Sequence, residues 1–255
     1  MSAVTTYALY ANNPERMLEA IRRDPVNARE TEYYRANIEK VKSLEAFVSD
    51  RRLLNYALKA YGLSDMSNAQ AFMRKVLEGG IDDRQSLANR LSDRRYSEFV
   101  ADFNFKRYGA TTTTFDRTRQ GVIDRYNRAG IEQKAGEQSE GARLALYFQR
   151  RAKEIDSPYD ILADRALLKF VQVATGLPVQ MSFQTIERQA ELISQRLDIS
   201  DLDDPQELQK LIRRFNTLWD VENPQASAAP SAAFGSARIG LSIDILAAIQ
   251  NYRRT

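Results

Sequence analysis

Between Phe47 and Tyr61 the apolar residues return at helical intervals. Phe47, Leu54, Leu58 and Tyr61 share one stripe, and Leu53 and Ala57 widen it. Ser43 stands ahead of the stripe as an N-cap, and Gly62 follows it where a helix stops on a left-handed residue. The pattern predicts one helix over 44–61. A second stretch, ADRALLKFVQVATGL (163–177), reads nearly the same as SDRRLLNYALKAYGL (49–63).

With Asp50 laid over Asp164, the agreement extends outward without gaps. Leu53-Leu54 fall on Leu167-Leu168, Tyr56 on Phe170, Ala60 on Ala174, and Gly62-Leu63 on Gly176-Leu177. Upstream, Tyr33-Tyr34 meet Tyr147-Phe148, Ser43 meets Ser157, and Phe47-Val48 meet Ile161-Leu162. Past Gly62 the register slips and returns, with Asp82-Asp83 answering Asp203-Asp204. Helices with aromatic residues follow each pair: Tyr96, Phe99 and Phe103 in one, Phe215 and Trp219 in the other. Two homologous helical units are expected, 1–108 and 109–222, packed as a pseudo-symmetric pair.

Further helices are predicted over 26–41, 68–78, 139–155 and 182–196. Ser157-Pro158-Tyr159-Asp160 supplies a cap, a proline at the first helical position and an acid in the first turn. Asp204-Pro205-Gln206-Glu207 spells a capping box. No period-2 run marks a strand, so the expected class is all-α. Gly109 to Thr114 reads as a polar joint between the units. Residues 223–240 have the Ala/Ser/Pro composition of a linker. Beyond them, 241–255 form an amphipathic helix whose face carries Leu241, Ile245, Leu246, Ile249 and Tyr252. A helix that short needs a surface to cover. It either folds back on its own body or docks into a partner's groove.

Composition narrows the chemistry. There is no cysteine and no histidine, so thiol nucleophiles, disulfides, zinc–thiolate sites and an imidazole base are all excluded. Neither a cofactor motif nor a phosphate loop is present, and Gly79-Gly80 reads as a helix stop. Nor does any stretch approach the ~20 apolar residues of a membrane span, and the N-terminus is not a cleavable secretory signal. The 37 basic residues face 34 acidic ones with the signs interspersed, which suits solvated helices better than the clustered basic face of a nucleic-acid binder.

The acidic candidates have structural readings beside the catalytic ones. Asp82-Asp83 and Asp203-Asp204 stand at helix starts, where carboxylates cap amides. The run from Asp198 to Asp204 lacks the glycine and ligand spacing of a calcium loop. Asp50-Arg51 and Asp164-Arg165 sit on or beside an apolar stripe, where an acid needs a partner. They are structural polar candidates, expected to make an ion pair or amide contact between helices; an enzyme would use Asp50 or Asp164 as a buried acid. Tyr33, Tyr34, Tyr56 and Tyr61, with Phe47, read as core rather than as a ligand box.

The stretch from Glu32 through Tyr33-Tyr34-Arg35-Ala36-Asn37 to Ser43 carries a resemblance, continued by Leu58-Lys59-Ala60-Tyr61-Gly62-Leu63-Ser64-Asp65-Met66 and by Ala71 to Glu78. It resembles a bacterial family of uncharacterised, internally duplicated, all-helical proteins, found mainly in alphaproteobacteria and often encoded near flagellar genes. The second copy keeps the pattern more loosely, with Gln149-Arg150-Arg151 against Arg35-Ala36-Asn37. The family brings no catalytic residue to carry over. The resemblance implies a flagellum-associated assembly, export or accessory factor with protein partners. Such a factor works in the cytoplasm or leaves the cell by flagellar export; homo-oligomerisation stays open. The competing expectations are an Arg-rich nucleic-acid-binding surface and an enzyme.

Overall fold

A computed structural model describes residues 1–224, and over these the protein is all-α, with no strand. Beyond its first two residues the expected linker over 223–240 lies outside the described residues. So does the expected helix 241–255, with its docking candidates Leu241, Ile245, Leu246, Ile249 and Tyr252. The chain opens with α1 (Ala3–Ala11), α2 (Pro14–Arg23), α3 (Pro25–Asn37), α4 (Leu44–Ser49), α5 (Arg51–Ala60) and α6 (Gln70–Glu78). Short α7 (Leu87–Arg90), α8 (Arg94–Asp102) and α9 (Phe105–Tyr108) lead to the long α10 (Gln120–Gln138). Then follow α11 (Glu140–Arg151), α12 (Pro158–Ala163), α13 (Arg165–Thr175), α14 (Ile186–Ser194) and α15 (Pro205–Glu222).

The single helix predicted over 44–61 is two helices, α4 and α5, parted at Asp50. Asp50 is extended, at φ −80° and ψ 91°, and its Oδ1 accepts from the amides of Arg52 and Leu53 at 3.0 Å each. Those amides open a new helix and have no carbonyl of their own to meet, so the carboxylate supplies the acceptor. Asp164 does the same between α12 and α13, accepting from Ala166 and Leu167. Helical spacing hid the break because both short helices bury their apolar faces in one core.

An offset of 114 residues relates much of the two halves. Ser43 and Ser157 cap α4 and α12, and Asp50 and Asp164 cap α5 and α13. Three-residue 3₁₀ turns stand at Ile38–Lys40 and Ala152–Glu154. Gly62 and Gly176 take the left-handed conformation, at φ 73° and 69°, and close the helices as predicted. Leu63 N donates to Leu58 O, and Leu177 N to Gln172 O, at 2.8 and 2.9 Å.

The halves diverge after α6 and α14. Asp83 was expected to start a helix like Asp204. Instead Asp83 caps a turn at Gln85, and Asp82 pairs with Arg107 at 3.0 Å. Asp204 does cap α15, through Gln206 N. The counterpart rings Tyr34/Tyr56 and Phe148/Phe170 stack at 4.4 and 3.8 Å, but each stack is completed differently. Tyr126 of α10 lies 3.7 Å from Tyr56, whereas Phe215 of α15 lies 4.2 Å from Phe170. Phe99 and Phe103, expected to match Phe215 and Trp219, pack instead on Phe47 and Tyr61.

Two apolar clusters result. Tyr34 to Phe105 and the start of α10 (Val122, Ile123, Tyr126) form one; Tyr7 and Tyr10 of α1 join Ala135 and α11–α15 in the other. At 19 residues α10 is about 28 Å long, enough to reach both. The polar joint is exposed at Gly109, Ala110, Thr111 and Thr114 but buried at its middle. Thr112 and Thr113 are fully buried, and Thr113 Oγ1 donates to Val41 O at 2.8 Å. Backbone carbonyls satisfy these hydroxyls, so a polar sequence can sit inside.

Candidate functional site

The ends of α5 and α8 and the flanks of α10, α11 and α13 enclose an open cleft of about 1290 Å³, with Trp219 of α15 on its rim. That exceeds the ~300–1,000 Å³ of a small-molecule pocket. Its lining mixes charged side chains of both signs with apolar ones such as Met66, Tyr96 and Trp219, which pack at the edges of the two apolar clusters.

Arg95 anchors one side. Its guanidinium grips Asp93 through Nε at 3.0 Å and NH2 at 2.7 Å, and its NH1 donates to Gly62 O at 2.6 Å. Burial alone would ease its proton off, but the bonds to Asp93 and the neighbouring charges outweigh that and raise its pKa. Asp164 is only 5% exposed. Its Oδ2 accepts from Tyr147 OH at 2.5 Å and lies 3.8 Å from Arg95 Nε. Burial, then the Asp164 charge, pushes the Tyr147 hydroxyl well above its usual range, so it stays a donor. Oδ1 accepts from two amides and Oδ2 from Tyr147, so three hydrogen bonds of its own fold hold this carboxylate.

Asp50 is spent in the same way: Tyr33 OH donates to its Oδ2 at 2.9 Å. The expected contact between helices is therefore a tyrosine bridge in both halves, with an ion pair added only at Asp164. Of the four polar candidates, Asp164 and Arg165 line the cleft. Asp50 does not, and Arg51 borders a separate shallow depression with Arg52 and Tyr126. Tyr34, Tyr56, Tyr61 and Phe47 are core side chains, as expected, and Tyr33 carries Arg52 over its ring at 3.9 Å.

Several lining residues had no signal of their own in the sequence. Tyr147 was within reach of one: Tyr33/Asp50 and Tyr147/Asp164 repeat the same 17-residue spacing. Lys59, Arg95, Arg143, Lys169 and Trp219 become neighbours only through tertiary packing. Among them Arg143 pairs with Glu140, and Glu132 with Arg150 of α11. Among the described residues Lys59, Arg165 and Lys169 make no ion pair, although Asp24, Glu137 and Glu30 act on Lys59 at longer range. Lys59 Nζ lies 4.7 Å from the Tyr126 ring and Lys169 Nζ 5.6 Å from that of Trp219. Burial lowers the pKa of the Lys59 ammonium.

Residues 60–208 match the model of a family described as "Protein of unknown function (DUF1217)". The chain belongs to this family. The match begins at the end of α5 and runs into α15, taking in most of the cleft's walls. The chain is also similar to a solved structure, the crystal structure of protein AGR_C_984 from Agrobacterium tumefaciens. Identity is 42% over 88% of this chain and 97% of that one, with a TM-score of 0.80. No curated protein matches. Among the described residues no helix is long and apolar enough to cross a membrane.

Proposed function

We propose that this DUF1217 member is a non-enzymatic helical interaction protein built from two copies of one module and associated with the flagellum. One observation supports the non-enzymatic reading: the two acids that the sequence offered for catalysis, Asp50 and Asp164, both accept hydrogen bonds from helix-cap amides and tyrosine hydroxyls. An acid serving as a proton donor or base must reach substrate; Asp50 lies outside the cleft, and Asp164 is tied into its wall by three hydrogen bonds. The copied-module reading rests on the shared caps, turns, glycines and Tyr–Asp bridges at the 114-residue offset. The flagellar association rests on the resemblance of the Glu32–Ser43, Leu58–Met66 and Ala71–Glu78 segments.

In this reading the amphipathic sequence at 241–252 supplies partner contact in trans. Removal of residues 236–255 leaves the helical body folded and abolishes retrieval of partners. Retrieval of the same partners by the truncated chain removes that docking role. Comparing cell and medium fractions of wild type and an export-deficient strain separates a cytoplasmic factor from an exported one.

A further inference from the structure

The cleft's lining holds five basic and five acidic side chains, but they are unevenly paired. Asp93 is held by Arg95, Glu140 by Arg143, Glu132 by Arg150, and Asp164 by its cap and Tyr147. Among the described residues three lining cations make no ion pair: Lys59 from α5, which feels Asp24, Glu137 and Glu30 only at longer range, and Arg165 and Lys169 one turn apart on one face of α13. Asp65 is the one lining acid with neither an ion pair nor a hydrogen bond among the described residues.

We infer that this cleft binds an acidic peptide segment of a protein partner, with Lys59, Arg165 and Lys169 receiving its carboxylates. The inference rests on the reading of the chain as an interaction protein and names the chemistry of one partner surface. Three features favour a peptide. The volume suits an extended segment. Met66 and Trp219, both partly exposed, give apolar footholds in the same lining. Each lysine ammonium lies over an aromatic ring, a setting that leaves it less hydrated and better placed to meet a carboxylate.

Fluorescence anisotropy of the full chain tests this with three dye-labelled probes. They are a 15-residue peptide of Glu-Glu-Leu repeats, its Lys-Lys-Leu counterpart and a 15-nucleotide single-stranded DNA. The acidic peptide binds saturably and more tightly than the other two, and the variant Lys59→Gln/Arg165→Gln/Lys169→Gln weakens it tenfold or more. No saturable binding of the acidic peptide, tighter binding of either other probe, or parental affinity in the variant overturns the inference. If the triple variant melts early, Arg165→Gln alone, on an exposed side chain, replaces it; a threefold loss then supports the site and parental affinity overturns it. Partner retrieval by the full chain, run in parallel, separates two failures. Retrieval without acidic-peptide binding overturns this inference alone, and absence of both overturns the interaction reading as well.

Discussion

Replacing Asp164 by alanine removes three contacts from a side chain that is 5% exposed. Loss of the cap to Ala166 and Leu167 costs about 1 kcal/mol. Tyr147 OH, left buried without its acceptor, costs about 1–3 kcal/mol more. Arg95 keeps Asp93, so little is added there. The sum is about 2–4 kcal/mol, or about 6–12 °C in Tm for a body of this size. Asp164→Asn retains a carbonyl oxygen for the cap and loses only about 1 kcal/mol. Asp50→Ala, at a half-buried site where water replaces the carboxylate, also loses about 1 kcal/mol. Urea unfolding followed by the single tryptophan, Trp219, reads all three. A double-mutant cycle with Tyr147→Phe should give a coupling of about 1 kcal/mol. An Asp164→Ala loss below about 0.5 kcal/mol, or no coupling to Tyr147, refutes the assignment of this carboxylate to capping and tyrosine support.

Further outcomes follow from the same geometry. A methyl group at Gly141 would collide with the Trp219 ring where α11 starts, so Gly141→Ala should cost about 1–3 kcal/mol and shift the tryptophan emission in the native state. Tyr34, Tyr56, Tyr61, Tyr126 and Tyr147 all have raised pKa values, with burial the largest cause and Tyr126 pushed up to about 12. Folding holds their protons more tightly than the unfolded chain does. The stability they confer is whole below pH ~10 and falls above it, towards and beyond pH 12. Tyrosinate absorbance should therefore rise for these residues together with unfolding; a smooth rise centred at pH 10 with the helices intact contradicts their burial. Lys59→Met, which removes an unpaired, partly desolvated ammonium, should raise Tm by about 2 °C while weakening acidic-peptide binding.

The class, most helix positions and the terminal glycines were legible because they depend on local rules: helical periodicity, caps and a left-handed stop. Asp50 and Asp164 were legible as polar groups needing partners, yet the break at each was not. Phe47, Leu54 and Leu58 keep their spacing across the joint, and periodicity counts residues without sensing a turn in the axis. The matched aromatics after Asp83 and Asp204 misled for a different reason. Phe99 and Phe215 share helical surroundings in the sequence, but the third ring of the first stack comes from Tyr126, on a helix that serves both clusters. Gly109 to Thr114 read as a polar joint, and composition could not reveal that Thr112 and Thr113 are buried or that each threonine hydroxyl has a carbonyl to meet. The cleft was least legible of all. Lys59, Arg95, Arg143 and Lys169 lie far apart in sequence and look like ordinary surface charge until the helices bring them together.

Swimming motility of a strain lacking this chain, restored by variants at equal expression, tests the central claim most directly: binding by a helical scaffold, not chemistry at its buried acids, carries the function. The double variant Asp50→Asn/Asp164→Asn keeps both caps and is expected to restore motility fully, while Lys59→Gln/Arg165→Gln/Lys169→Gln is expected to fail. A folded asparagine variant that leaves cells non-motile, beside a cation variant that restores them, would contradict the account.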